Sequence, residues 1–269
     1  MDDEKALLRQ IFGDSSDSEE KEDSTHDVGC HSTSDPNYPT WEPIKEIKGL
    51  WLCRDFLSTH QQSILLSAIQ NEGWFLEASN NQVGTRPGNE LEIFRIRAMR
   101  FGDLPSWAIE LSNSIHEVIL YDDRLYEPTS SAVSEGVEAA CLLPPDMLLR
   151  EPVFDQLIVN VYQPGEGICA HVDLMRFEDG IAIVSLESSC VMHFTQLGEV
   201  SDCGKEQPDL PIKIPVFLTP GSLVLLFGDA RYLWKHEINR KPGFQMWEGQ
   251  EVNQKRRTSI TLRKLCHVE

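Results

Sequence analysis

Basic residues are scarce in this chain. Against 43 Asp and Glu stand only 24 Lys and Arg, a formal net charge of −19 over 269 residues. Surfaces that hold nucleic acid without regard to sequence replace phosphate counterions with Lys and Arg. The composition therefore excludes strong sequence-blind DNA binding and leaves room only for a local basic groove. Paired cysteine spacing is also missing. The seven cysteines (Cys30, Cys53, Cys141, Cys169, Cys190, Cys203 and Cys266) are odd in number and include no C-x-x-C, which argues against a disulfide framework and for free thiols in a reducing compartment. No apolar run approaches the length of a membrane span, and Met1-Asp2-Asp3-Glu4 is the reverse of a signal peptide's positive start. The expectation is a protein of the nucleus or cytoplasm, without a membrane partner.

What is present divides into two parts. Residues 1–40 hold eleven acids and three bases, −8 of the total, among many Ser and Thr. A segment with so little apolar area cannot offset its ordering entropy, so a disordered acidic tail is expected. Within it Leu7, Leu8, Ile11 and Phe12 fall at helical spacing directly before Gly13 and a run of acids, so residues 4–20 are a candidate docking motif for a protein partner. Residues 41–269 form the expected folded domain. A helix is predicted over 55–75, capped at Ser58 and stopped at Gly73, with Ile64, Leu65, Ala68 and Ile69 on one face. A second is predicted over 105–121 from Pro105, carrying Trp107, Ile109, Leu111, Ile115, Val118 and Ile119. Between them, residues 80–103 read as loops and a hairpin. From 155 onward short β-rich runs appear at 155–162, 168–173, 181–186, 190–195, 212–218, 222–227, 231–238 and 257–263. Many short strands after a helical part predict a mainly β fold with flanking helices, a jelly roll.

Two patterns carry chemistry. In Ala170-His171-Val172-Asp173 the histidine and aspartate lie two apart, so a strand presents both on one face. A distant His236 completes two imidazoles and one carboxylate, a donor set that suits non-haem iron(II) and leaves coordination positions open. The dipeptide spacing alone is weak, since such a pair is often a surface feature. Among competing histidines, His193 sits in an apolar strand and reads as a hydrogen-bonded core residue. His60 and His116 fall in predicted helices, His26 and His31 in the tail, and His267 at the end of the chain. In the second pattern, Arg257 and Arg263 are six apart in R-T-S-I-T-L-R, hence on one strand face with Ser259 and Thr261. Two inward arginines require anionic partners, and a guanidinium grips a carboxylate through paired hydrogen bonds. Asn160 and Tyr162 share a strand face by the same parity, and both form hydrogen bonds.

Taken in order, N-x-Y-x-P-G from Asn160 to Gly165, H-x-D at His171, His236 and R-x-x-x-x-x-R from Arg257 to Arg263 resemble the AlkB-like family of iron(II)- and 2-oxoglutarate-dependent dioxygenases. The resemblance implies a double-stranded β-helix with an N-terminal helical and lid extension. It implies Fe(II) held by His171, Asp173 and His236, the catalytic centre, and 2-oxoglutarate as co-substrate. Arg257 would pair the distal carboxylate, Arg263 would support the metal-proximal end, and Asn160 and Tyr162 would hydrogen-bond the co-substrate. Residues 78–103, with Arg86, Arg95, Arg97 and Arg100, would cover the substrate.

The activity so implied is hydroxylation or oxidative demethylation of a modified base in nucleic acid, RNA before DNA. The alternatives are a protein or small-molecule hydroxylase on the same scaffold, favoured by the acidic composition, and a non-catalytic jelly-roll adaptor. Clustering of Arg86, Arg95, Arg97, Arg100, Lys255 and Arg256 beside the metal opening distinguishes the first two.

Overall fold

The fold of the chain is a pair of antiparallel sheets packed face to face, with helices on the outer face of the larger. A computed structural model describes residues 39–75, 96–120, 144–198 and 212–266. Outside these lie the acidic tail to residue 38, the motif at 4–20, Arg86 and Arg95, and His26, His31 and His267. Thirteen strands are β1 Trp41–Pro43, β2 Leu50–Cys53, β3 Ile96–Phe101, β4 Gln156–Tyr162, β5 Ile168–His171, β6 Ile181–Leu186, β7 Cys190–Gln196, β8 Lys213–Leu218, β9 Leu223–Leu226, β10 Trp234–Ile238, β11 Met246–Trp247, β12 Gln250–Glu251 and β13 Arg257–Arg263. The helices are α1 Thr59–Asn71, α2 Ser106–Leu120, α3 Pro145–Leu148 and α4 Asp229–Tyr232. The larger sheet runs β1-β2-β9-β6-β13-β4-β3 and the smaller β5-β10-β7-β8, which is the expected jelly roll.

Both faces of the larger sheet are buried, and strand parity divides its side chains between two cores. Leu157 and Val159 of β4, Ala182, Val184 and Leu186 of β6, Leu223 and Leu225 of β9, and Ile260 and Leu262 of β13 pack outward against α1 and α2. Ile181, Ile183, Val224 and Leu226 point inward and meet Cys190, Met192, Phe194, Val216 and Trp234 of the smaller sheet. Along β13 the inward positions are polar: Arg257, Ser259, Thr261 and Arg263 are all buried. The polar stretch of the inner face is thus where the site forms.

The helices follow their sequence signals. Ser58 caps α1 through a reciprocal box with Gln61, leaving Asp55–Leu57 ahead of the helix, and Gly73 ends it at φ +69. In α2, Trp107, Leu111, Ile115 and Ile119 are buried, but Ile109 is exposed, because two residues advance a helix about 200° and carry it to the far side. Two strand expectations need correction. β5 stops at His171 rather than 173, and 231–238 is not one strand. Asp179 accepts the Gly228 amide at 3.0 Å, and Tyr232 N–H and Leu233 N–H close helical turns on Gly228 and Asp229, so Arg231 and Tyr232 belong to α4. At the β11–β12 hairpin Glu248 and Gly249 both take positive φ, 49° and 78°, the conformation a two-residue turn needs to match strand twist.

Trp107 joins the helical layer to itself: 1% exposed, it donates Nε1–H to Glu72 at 3.0 Å and packs on Trp74 at 6.1 Å between ring centroids. Trp107→Ala is expected to cost about 3–5 kcal/mol in denaturant unfolding. A loss under about 1 kcal/mol would show that the helical layer does not depend on this side chain.

Candidate metal centre

The antiparallel pairing of β5 with β10 sets His171 directly opposite His236. Their rings lie 4.3 Å apart between centroids. Asp173 follows just beyond the strand end, and His236 Nε2 is 3.7 Å from its Oδ2. One ligating atom from each of the three lies within 4.8 Å of the others. His171 Nδ1 sits 2.8 Å from the Cys169 carbonyl. A carbonyl only accepts, so Nδ1 carries the proton and Nε2 keeps its lone pair free for a cation. Burial pushes His236 down to about 4, with Asp173 opposing the shift, so its imidazole is neutral at physiological pH, the form that ligates. Two imidazoles and a carboxylate meeting at one point fit iron(II) with open positions.

Because Asp173 lies outside the strand ladder, other groups hold it. Arg263 Nη2 pairs with its Oδ1 at 2.5 Å, which leaves Oδ2 toward the imidazoles. Arg231, 2% exposed, donates to the Asp173 carbonyl at 3.0 Å, to Leu174 at 2.8 Å and to Phe177 at 3.3 Å. The loop after Asp173 then runs beside the end of β13, with Glu178 N–H on the Lys264 carbonyl and Cys266 N–H on that of Arg176. Arg231 was not recognisable from sequence as part of the site. The stretch Arg231-Tyr232-Leu233-Trp234 contributes to the family resemblance, but nothing in its spacing gives Arg231 a role.

Arg257 occupies the other end of the inner polar row. It lies six positions from Arg263, roughly 20 Å along β13. It is 1% exposed, gives Nε–H to Ser185 Oγ at 2.9 Å, and lies 5.5 Å from the ring of Tyr162, its register partner. Its buried Nη2 has no hydrogen-bond partner among the described residues. A buried guanidinium with an unused donor fits an incoming carboxylate, so this end suits the distal group of 2-oxoglutarate. Asn160, half-buried, pairs in register with Ser259 and Arg97 on the same inner face. Ser185 was also missed, although a serine closing an apolar run (Ile181-Ala182-Ile183-Val184) was a signal.

The remaining candidates divide. His193 lies on the outer side of the smaller sheet against Phe244, at 6.3 Å, and its buried Nδ1 has no hydrogen bond among the described residues, contrary to the expected hydrogen-bonded core role. His116 meets the Leu148 carbonyl at 3.0 Å, and His60 opens α1 in solvent. Of the basic residues expected at the opening, Arg97 is the only one among the described residues that lies on the site face. Arg100, three residues on, takes the other face and stacks over Trp74 at 4.5 Å. Arg256 pairs with Glu187 at 2.9 Å, at the Arg257 end of β13, where Lys255 also lies. Arg176, unnoticed in the sequence, stands at the opening, with its guanidinium 5.3 Å from the Phe101 ring and 5.0 Å from that of Phe177.

Comparison with known proteins agrees with this geometry. The sequence model of the 2OG-Fe(II) oxygenase superfamily matches residues 49–263. An Arabidopsis thaliana protein named alkylated DNA repair protein ALKBH8 homolog is 28% identical over 234 residues, 81% of this chain and 59% of its own length. The Xenopus tropicalis tRNA (carboxymethyluridine(34)-5-O)-methyltransferase alkbh8 is 36% identical over 129 residues, 42% of this chain and 19% of its own length. The chain thus spans less than two thirds of both relatives, about three fifths of the first and a fifth of the second. The solved structure of OsALKBH1 shares the fold at a TM-score of 0.52 and 16% identity, covering 84% of this chain and all of the other. With the superfamily match extending over most of its length and the histidine–aspartate–histidine cluster formed, the chain belongs to the 2OG-Fe(II) oxygenase superfamily, whose members use iron(II) and 2-oxoglutarate.

Proposed function

We propose that this dioxygenase hydroxylates or oxidatively demethylates a modified base in nucleic acid, RNA in the first instance. The observation that carries the reading is the rim beside the three ligands. Met99 and Phe101 stand on the site face of β3, opposite Ile158 and Gln156. Leu174 and Met175, 61% and 65% exposed, directly follow Asp173. Arg176 lies over Phe101, and Arg97 shares the face. An aromatic ring backed by a guanidinium, within an apolar rim, is the equipment that stacks a base taken out of its strand. The names of the Arabidopsis and Xenopus relatives, one a DNA repair protein and one a tRNA-modifying enzyme, support nucleic acid as the substrate class.

The residues take these roles in the proposal. His171, Asp173 and His236 hold the metal. Arg263 fixes the Asp173 carboxylate so that Oδ2 faces the cation, and Arg231 ties down the loop that carries it. Arg257 anchors the distal carboxylate of 2-oxoglutarate, with Tyr162 and Asn160 hydrogen-bonding along its length. Iron(II), with 2-oxoglutarate and dioxygen, supplies the oxidising chemistry, in which the co-substrate is decarboxylated to succinate and one oxygen atom enters a substrate C–H bond. The protein orients the target carbon and keeps water from the pocket. An N-methyl carbon leaves as formaldehyde after hydroxylation, whereas another carbon keeps its hydroxyl. Residues 1–40 form an acidic tail that recruits a protein partner through residues 4–20. Loss of a co-purifying partner on deleting residues 1–20 tests that part.

A second reading, a protein hydroxylase on the same scaffold, draws on the net charge of −19 and on Arg100 and Arg256 being turned away from the opening. Mass analysis of RNA and DNA nucleosides from cells with and without the protein separates the two. A modified nucleoside that accumulates or disappears in RNA supports base oxidation, and unchanged nucleosides in both pools reject it.

Two further outcomes are expected. Asp173→Ala removes a ligand and frees Arg263, so succinate formation should fall by at least about 100-fold; retention of more than about a tenth of the wild-type rate contradicts the ligand assignment. Arg263→Met leaves the Asp173 carboxylate buried and unpaired. It should cost about 3–5 kcal/mol in unfolding of the metal-free protein, and less with Mn(II) bound, because the cation then compensates the carboxylate. An equal loss with and without metal would show that Arg263 does not act through Asp173.

A further inference from the structure

Buried polar atoms left without a partner mark places where a ligand is expected. Among the described residues Arg240 has two, Nε and Nη2, and the roles assigned above do not use it. Arg240 follows β10. A Cβ on Gly167 would run into the Ile238 carbonyl oxygen and come within 2.9 Å of the Arg240 Cγ, so the β10 backbone and the Arg240 side chain both pack closely on the glycine. The pairing of β10 with β7 ends at Glu237 opposite His193. Beyond that point Gln245 fills the opening between strands. It donates to the Val191 carbonyl at 2.9 Å and the Asn239 carbonyl at 2.8 Å, and accepts the Val191 amide at 2.8 Å. Gln254 donates to Gln245 and accepts from Arg240 Nη1.

That relay fixes the guanidinium by one corner and leaves its Nε–Nη2 edge open. This is the edge that binds a carboxylate through two parallel hydrogen bonds. Arg240 lines a cleft of about 390 Å3 together with Gly165, three residues after Tyr162, and Tyr162 stands opposite Arg257. Burial, the largest effect, and the neighbouring Arg257 hold the Arg240 guanidinium below its ordinary pKa range, while Cys190, Tyr162 and Glu166 act the other way. Glu166 accepts the Gln163 amide at 2.7 Å and makes no ion pair with Arg240 among the described residues. Two partly or fully buried guanidiniums at one end of the barrel, with three unpartnered donor atoms in all among the described residues, are costly without a nearby anion.

We infer that Arg240 is a second anchor for the co-substrate, gripping the distal carboxylate of 2-oxoglutarate through its Nε–Nη2 edge while Arg257 contributes Nη2. The inference rests on the placement of Arg257 at that carboxylate. Two cations on one carboxylate select a dicarboxylic 2-oxo acid over one without the distal group, and Arg240 acts on binding rather than on the oxidation step.

The test is anaerobic titration calorimetry on Mn(II)-loaded full-length protein, with 2-oxoglutarate and with 2-oxobutyrate, which lacks the distal carboxylate. Arg240→Met should weaken 2-oxoglutarate roughly 10- to 100-fold and leave 2-oxobutyrate within about twofold. Arg240→Lys, which restores charge without the planar edge, should recover part of the loss, and KM for 2-oxoglutarate should rise with kcat little changed. Unchanged 2-oxoglutarate affinity in Arg240→Met overturns the proposal. So does an equal loss for both acids, or a loss accompanied by weaker Mn(II) binding, because either marks a merely structural role. Should the Met variant fail to fold, the same comparison of the two acids with Arg240→Lys decides. Arg257→Met is run in parallel: wild-type affinity for 2-oxoglutarate there would reject the Arg257 anchor itself, a result separate from that of Arg240.

Discussion

The site depends on one buried ion pair. Asp173, 6% exposed, lies past the end of its strand, where no sheet hydrogen bonds fix its side chain. Arg263 Nη2, at 2.5 Å from Oδ1, takes one carboxylate oxygen and thereby aims the other at His236. Removing the arginine leaves a buried charge uncompensated, and removing the aspartate does the same to the arginine. Coupling of this kind specifies geometry more than it adds stability. Arg231 acts on the backbone of the same residue, so two buried arginines hold the carboxylate by different atoms. Asp179, through the Gly228 amide, sets the start of the short helix that carries Arg231.

The rest of the architecture serves to bring this pair to the imidazoles and to set the length of the pocket. The register of β5 with β10 brings the two histidines together, and that of β13 with β4 and β6 aligns Arg257, Ser259 and Arg263 against Tyr162, Asn160, Gln156 and Ser185. Because a strand advances about 3.3 Å per residue, the spacing of Arg257 and Arg263 sets how far the Arg257 guanidinium stands from the Asp173 carboxylate that Arg263 holds. The outer face of the same strands is apolar and covered by α1 and α2, which excludes water from the back of the sheet and keeps the register from slipping.

Much of this was legible in the sequence because it obeys parity. R-T-S-I-T-L-R announced an inward polar row, and its two arginines are buried on one face. The strand bounds at 181–186 and 257–263, and the cap at Ser58, were readable for the same local reasons. Parity also bears on Arg97 and Arg100: an odd spacing of three puts them on opposite faces, so treating both as lid arginines overlooked the rule that served for β13. The partnership of His171 with His236 was not local, since it arises from a strand pairing across 65 positions and was reached through the order of motifs alone. Arg231, Arg176 and Arg240 gave no periodic signal. Each acts through backbone carbonyls, ring faces or a side-chain relay that only the tertiary fold creates.

The claim on which the account stands is that His171, Asp173 and His236 bind one iron ion. Anomalous diffraction at the iron edge, from crystals grown without oxygen in the presence of Fe(II) and 2-oxoglutarate, tests it directly. A single peak in bonding contact with the Nε2 atoms of both histidines and with Asp173 Oδ2 is the result expected. No peak there, or an ion held elsewhere while these three side chains stay unligated, would contradict it.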